Sequence, residues 1–186
     1  MRFVIGTRGS RLALAQAEYV QQKLQNRYPE HEFELRIIKT KGDKIQNKSL
    51  AAIGDKGLFV KEIERELLDG EIQLAVHSMK DMPGEIPDEL CFAGAWERED
   101  PRDVLILREA KSLAELPEGA TIGTGSKRRA FQLLALRPDL KIVDIRGNVD
   151  TRLNKMHEQK LDGIVLAAAG LKRLHMESVI TQYLST

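Results

Sequence analysis

The triplet Ile-Gly-Thr occurs twice in the 186 residues, at Ile5 in IGTRGSRLALAQA and at Ile122 in IGTGSKRRAFQLLA. Each time a short apolar run ends at glycine, a loop with Gly and Ser follows, and basic residues then open an apolar pattern of helical period. A strand that stops and restarts as a helix folds back along its own sheet. Two such corners commit the chain to a layered α/β architecture.

The remaining sequence keeps the alternation. Phe3 to Ile5 reads as a strand, Ser10 as a helix N-cap, and Pro29 as the stop of a helix reaching about Tyr28. Phe33, Leu35 and Ile37 alternate with charged residues as in a strand. Residues 40–58 are polar and glycine-rich and read as a loop. Val60, Ile63, Glu64 and Leu67 predict a helix ended by Gly70; Leu74 to Val76 predict a strand running into the polar loop His77 to Asp81. After the charge run EREDPRD at 97–103, strands are expected at 104–107, 120–123, 142–145 and 163–168. Helices are expected at 127–136, at 148–159 and from Glu177. The expected fold is α/β: two doubly wound, parallel-sheet lobes at 1–96 and 104–186, joined by a hinge at 97–103, with a cleft between them. In open α/β sheets ligands bind beyond the carboxyl ends of the strands.

A net charge of +1 gives no global bias toward nucleic acid or an anionic membrane, and 5% aromatic residues supply few stacking platforms. The single cysteine, Cys91, rules out an internal disulfide framework and fits a reducing cytoplasm. In ELCFAGAW it reads as a small buried hydrophobe on a strand. No apolar run approaches the roughly 20 residues of a membrane span. No His, Cys or carboxylate cluster has metal-ligand spacing, and His77 reads as structural. Any basic patch must therefore be local.

One is legible. Arg8 and Arg11 lie at the first corner, Lys127, Arg128 and Arg129 at the second, and Arg146, Arg152 and Arg173 follow later strands. Ser10, Thr124 and Ser126 add hydroxyl donors at the helix starts, where backbone N–H groups also favour anions. Neither corner has the Walker spacing. Guanidinium groups pair with carboxylates or phosphates through two parallel bonds, so the implied ligand is a small polyanion. Asp81, in HSMKDMP, has two readings: it holds an arginine, or it stabilises positive charge developing on a substrate.

The segments IGTRGSRLALAQA, GDKGLFVKEIE, AVHSMKDMP, EREDPRD, IGTGSKRRAFQL, IRGNVDTRL and LAAAGLKRL together resemble, in colinear order, the hydroxymethylbilane synthase (porphobilinogen deaminase) family. The resemblance implies lobes like those of type II periplasmic binding proteins and a cytoplasmic monomer. It also implies stepwise deaminative condensation of four porphobilinogen molecules on a dipyrromethane cofactor held by a cysteine thioether. By the same resemblance Asp81 is the catalytic carboxylate, stabilising the azafulvene cation left by ammonia loss and the protonated pyrrole of the next addition. Arg8, Arg128, Arg129, Arg146, Arg152 and Arg173 hold acetate and propionate groups with help from Ser10, Thr124 and Ser126; Ser78 and Lys80 line the pocket, and Lys56 belongs to a covering loop. Gly125 and Lys127 depart from the family's usual serine and apolar residue. The third, α+β domain and its cofactor cysteine have no counterpart in the 186 residues, and Cys91 stands at the wrong place in the motif order to replace that cysteine. The expectation is a chain that folds but does not turn over alone. Two other readings compete: a non-catalytic two-lobed module for a small polycarboxylate, and a nucleic-acid binder using the basic run 127–152. Asp81 argues against the first, since an anion binder gains nothing from an acid; charge and aromatic content argue against the second.

Overall fold

The computed structural model describes residues 1–44 and 57–185. They form two compact units, the first running to Glu97 and the second starting at Arg98.

The first unit holds a sheet of three parallel strands, β1 (Arg2–Thr7), β2 (Glu32–Ile37) and β3 (Leu74–Ala75), in the order β2-β1-β3. The connection from β1 to β2 is α1 (Arg11–Arg27). Ser10 Oγ caps it by accepting from the Ala13 N–H at 3.3 Å, and the Tyr28 N–H closes its far end on the Leu24 carbonyl, one residue before Pro29. The polar stretch after β2 is not all loop: Lys41–Lys44 form one helical turn, α2. α3 (Lys61–Leu68) places Ile63 against Ile38 and Ile72, with Val4 and Leu67 around them. This core explains the first Ile-Gly-Thr. A Cβ on Gly6 would stand 2.3 Å from Ile72 Cδ1, so glycine here lets Ile72 pack directly against β1.

Cys91 corrects the sequence reading. ELCFAGAW pairs with no strand among the described residues; Cys91 is exposed, and Phe92 and Trp96 are about half exposed. Apolar composition without strict alternation does not by itself earn a place in a sheet. Trp96 instead meets the edge of Tyr19, with ring centroids 5.8 Å apart.

The second unit holds a five-stranded sheet in the order β6-β5-β7-β4-β8. Its strands are β4 (Asp103–Leu107), β5 (Thr121–Gly123), β6 (Lys141–Val143), β7 (Gly163–Ala167) and β8 (Gln182–Tyr183). Period-2 alternation sends Val104, Ile106, Ile164 and Leu166 to one face, and Leu105, Leu107 and Val165 to the other. α5 (Val149–Glu158) and α6 (Ala168–Arg173) cover the first face through Met156 and Leu171; α4 (Lys127–Leu136) covers the second through Leu133.

Three expectations change here. The sheet is mixed: β5, β6 and β7 are parallel, but β4 runs antiparallel to both β7 and β8. VLIL specifies a buried strand without specifying its direction. Ala168, expected as the last residue of a strand, instead opens α6. The helix expected from Glu177 is a single 3-10 turn, Glu177–Val179, followed by β8. Val179, Ile180 and Thr181 are β-branched and favour the extended chain. Thr181 then donates its N–H to the Leu105 carbonyl and accepts the Leu107 N–H on Oγ1, both at 2.9 Å. Gln182 Oε1 accepts from Leu113 N at 2.7 Å, so β8 is tied down by side chains as well as by its ladder.

Candidate functional site

At the first corner Arg8 leaves the end of β1 and is held, not solvated. It donates Nε–H to Asp43 Oδ1 at 3.1 Å, pairs with the same carboxylate through Nη2, and lies 4.0 Å from the centroid of the Phe59 ring. Thr40, buried, donates its hydroxyl to Asp43 Oδ2 at 2.8 Å. Burial pushes the Asp43 carboxyl up, but the bonds from Arg8 and Thr40 outweigh it and leave its pKa lowered. Ser10 spends its acceptor on the helix cap.

β3 delivers the segment His77 to Asp81 beyond its carboxyl end. Ser78 donates to Gln16 Oε1 at 3.0 Å, which ties the segment to α1. Met79–Asp81 form a single 3-10 turn, with the Asp81 N–H on the Ser78 carbonyl. Lys80 and Asp81 are exposed on it. The pKa of His77 is lowered by burial first, then by Arg8, with Asp81 opposing. At neutral pH the imidazole is therefore uncharged, leaving Arg8 and Asp81 as the opposite charges acting on it. Lys56 lies outside the described residues.

In the second unit β5, β6 and β7 end at one edge of the sheet, at Gly123, Val143 and Ala167. Because β4 runs the other way, its first residue, Asp103, is opposite Ala167 at that same edge. Buried Thr124 holds its N–H on the Val143 carbonyl at 2.9 Å and accepts from Ser126 N at 3.2 Å, shaping the second corner. Ser126 caps α4. Arg129 donates Nε–H and Nη2–H to Asp103 Oδ1 at 3.0 and 2.8 Å; Arg128 donates Nη2–H to Asp103 Oδ2 at 2.7 Å and Nη1–H to Gln132 at 2.7 Å. The Arg129 and Asp103 side chains are 11% and 12% exposed, whereas that of Arg128 is 60% exposed. Burial pushes the Asp103 carboxyl up and the two arginines more than reverse it, so its pKa is lowered.

Past β6, Ile145 is buried in the core between Asp144 and Arg146. Gly147 follows at φ +125°, where a side chain would meet Thr151 at 2.5 Å; its carbonyl accepts Arg152 Nε–H at 2.8 Å. Asn148 caps α5 through the Thr151 N–H at 2.9 Å. The pKa of Arg152 is lowered by burial and then by Arg129 and Arg146, with Asp144 opposing. Arg129 and Arg146 are thus close enough to act on Arg152, and an anion placed beside it relieves that repulsion. Arg173, at the end of α6, joins Lys172 in lowering the Glu99 carboxyl, Lys172 more strongly through a 2.7 Å bond. Asp103 brings Arg128 and Arg129 together, Arg152 feels the charges of Arg129 and Arg146, and Arg173 acts on Glu99 in the 97–103 segment. Sequence reasoning did not identify Asp43 and Asp103 as the carboxylates that hold Arg8, Arg128 and Arg129. Among the described residues no helix is long and apolar enough to cross a membrane.

Two mixed α/β units of this kind define the fold class of type II periplasmic binding proteins. Solved structures share it: the probable amino-acid ABC transporter extracellular-binding protein ytmK from Bacillus subtilis has a TM-score of 0.55 at 12% identity, covering 100% of this chain and 79% of that one. A lipoprotein from Actinomyces odontolyticus scores 0.55 at 14% identity, covering 99% and 77%. A family model described as porphobilinogen deaminase, dipyromethane cofactor binding domain, matches residues 3–186, and the chain belongs to the porphobilinogen deaminase family. The porphobilinogen deaminase of Lachnospira eligens is 63% identical over 186 residues, covering 99% of this chain and 63% of that protein. That of Clostridioides difficile is 62% identical, covering 99% and 62%. The chain spans about three fifths of the length of these curated relatives.

Proposed function

We propose that this chain carries the substrate-holding cations and the catalytic carboxylate of hydroxymethylbilane synthesis, the head-to-tail condensation of four porphobilinogen molecules with loss of one ammonia per addition. The observation that carries this reading is the gathering of Arg128 and Arg129 on Asp103 where β5, β6 and β7 end, with Arg152 in the field of Arg129 and Arg146. Porphobilinogen brings an acetate and a propionate on each ring, which match such donors in charge and in planar, two-point geometry. Arg8, Arg128 and Arg173, the hydroxyls of Ser10, Ser78, Thr124 and Ser126, and Lys56 and Lys80 complete the proposed binding set.

In each addition the C–N bond of the aminomethyl group, protonated as an ammonium, breaks, the nitrogen leaves with the electron pair as ammonia, and the ring is left as a methylene-pyrrole cation. The α-carbon of the next pyrrole forms the new C–C bond and then loses its proton. Asp81 stabilises the positive charge on the pyrrole nitrogen in both stages. Arg8, already balanced by Asp43, orients a carboxylate without adding uncompensated charge beside that cation. The arginine group also fits the carboxylates of a dipyrromethane, which supplies a primer for chain growth when bound. Cytoplasmic location and a monomeric state belong to the same reading.

Calorimetry with porphobilinogen tests the binding half. Binding is expected, weakening by about tenfold or more in Arg146→Gln and in Arg152→Gln, as for loss of a charged hydrogen bond. Retained affinity in both variants would assign the carboxylates elsewhere. Intact mass after incubation, with and without Cys91→Ser, tests the anchor: an unchanged mass is expected. Mass steps of one pyrrole unit that vanish in Cys91→Ser would make exposed Cys91 the attachment point. Binding without ammonia release even when the cofactor-anchoring part of the family is supplied would favour the polycarboxylate-binding module.

A further inference from the structure

We propose that Asp103 is a positioning residue for substrate carboxylates: its two oxygens, divided between Arg128 and Arg129, aim these guanidiniums as a pair. The proposal rests on the reading above, in which both arginines hold ligand carboxylates.

The division is unequal. Oδ1 takes two bonds from Arg129, and that pair is almost wholly buried. Oδ2 takes one bond from Arg128, which stays mostly exposed. A guanidinium carries five N–H bonds in a rigid fork, so fixing one or two of them fixes the directions of the rest. Adjacent residues on a helix point about 100° apart and do not normally converge. A shared carboxylate is what brings Arg128 and Arg129 to one point. Asp103 can supply it because β4 is antiparallel to β7, which puts its first residue at the edge where α4 begins. The bonds of the two arginines outweigh burial and keep Asp103 charged.

The sign of the effect separates positioning from other roles. Asp103→Asn removes a negative charge from a cationic edge. If Asp103 only dilutes that charge, porphobilinogen binds more tightly in the variant. If it only supports the fold, melting falls while affinity at 25 °C is unchanged. Positioning predicts binding about tenfold weaker at 25 °C in protein whose circular dichroism is native. It also predicts non-additivity: Arg128→Gln alone weakens binding about tenfold, and Asp103→Asn added to it costs less than a further threefold. Where Asp103→Asn does not fold, Asp103→Glu keeps the charge but displaces it by one methylene, and a threefold or greater loss is expected. Unchanged or tighter binding in Asp103→Asn, full additivity, or wild-type affinity in Asp103→Glu would overturn the proposal while the wild type still binds. A wild-type chain that binds no porphobilinogen would instead remove the functional reading, and this proposal with it.

Discussion

With the cofactor-anchoring part of the family supplied, asparagine in place of Asp81 is expected to slow ammonia release from porphobilinogen by about a hundredfold or more, while porphobilinogen affinity stays within about threefold. The substitution keeps size and hydrogen-bonding capacity and removes only the charge. Asp81 is exposed on its 3-10 turn and its backbone N–H is already used within that turn, so the variant is expected to fold. The split between rate and affinity is the diagnostic. A binding residue would move both, and an arginine-holding acid would move affinity first. A rate within threefold of wild type would show that no positive charge is stabilised at this position. Tighter binding with unchanged rate would show that Asp81 merely repels the substrate's carboxylates.

The second large effect concerns the core that carries the cationic edge. Ile164 is fully buried in β7, between β4 and β5, and contributes to the face covered by α5 and α6. Truncation to alanine is expected to cost about 2–5 kcal/mol. The only tryptophan, Trp96, lies in the first unit, so fluorescence reports on the wrong half. Amide hydrogen exchange in β7 is the suitable measurement, and protection there is expected to fall about thirtyfold or more. Ile37→Ala, at a strand end where the side chain is 56% exposed, is expected to change exchange in β1 and β2 by less than about threefold. Equal effects at the two sites would mean that the second sheet is not the close-packed support described above.

What was legible in the sequence follows from which forces are local. α4 runs over Lys127–Leu136, the expected span, because its cap, Ser126, and its apolar period both lie within a dozen residues. The direction of β4 was not legible, since alternating burial reads the same both ways and the choice of partner lies about 60 residues downstream in β7. Residue 168 read as the end of a strand because it continues an apolar run, yet it opens the helix Ala168–Arg173, in which Ala168 and Leu171 are fully buried and tertiary packing decides the element. The arginines were visible as cations placed after strands. Their partners were not, because Asp43 is 35 positions from Arg8, and Asp103 is 25 and 26 positions from Arg128 and Arg129. The run EREDPRD shows charge without showing which charges are used; Glu99 meets Lys172, Asp100 meets Arg102, and Asp103 meets the two arginines of α4.

That last assignment bears on how the chain tolerates length changes. Connecting segments ordinarily accept insertions because their backbone has no fixed destination. Here three successive acids each have an address, and the last of them is also the first residue of a strand packed between two others. One extra residue between Glu99 and Asp103 would move Glu99 out of step with Lys172, or Asp103 out of step with Arg128 and Arg129. The 97–103 segment is therefore expected to accept substitutions at Pro101 more readily than any change in its length.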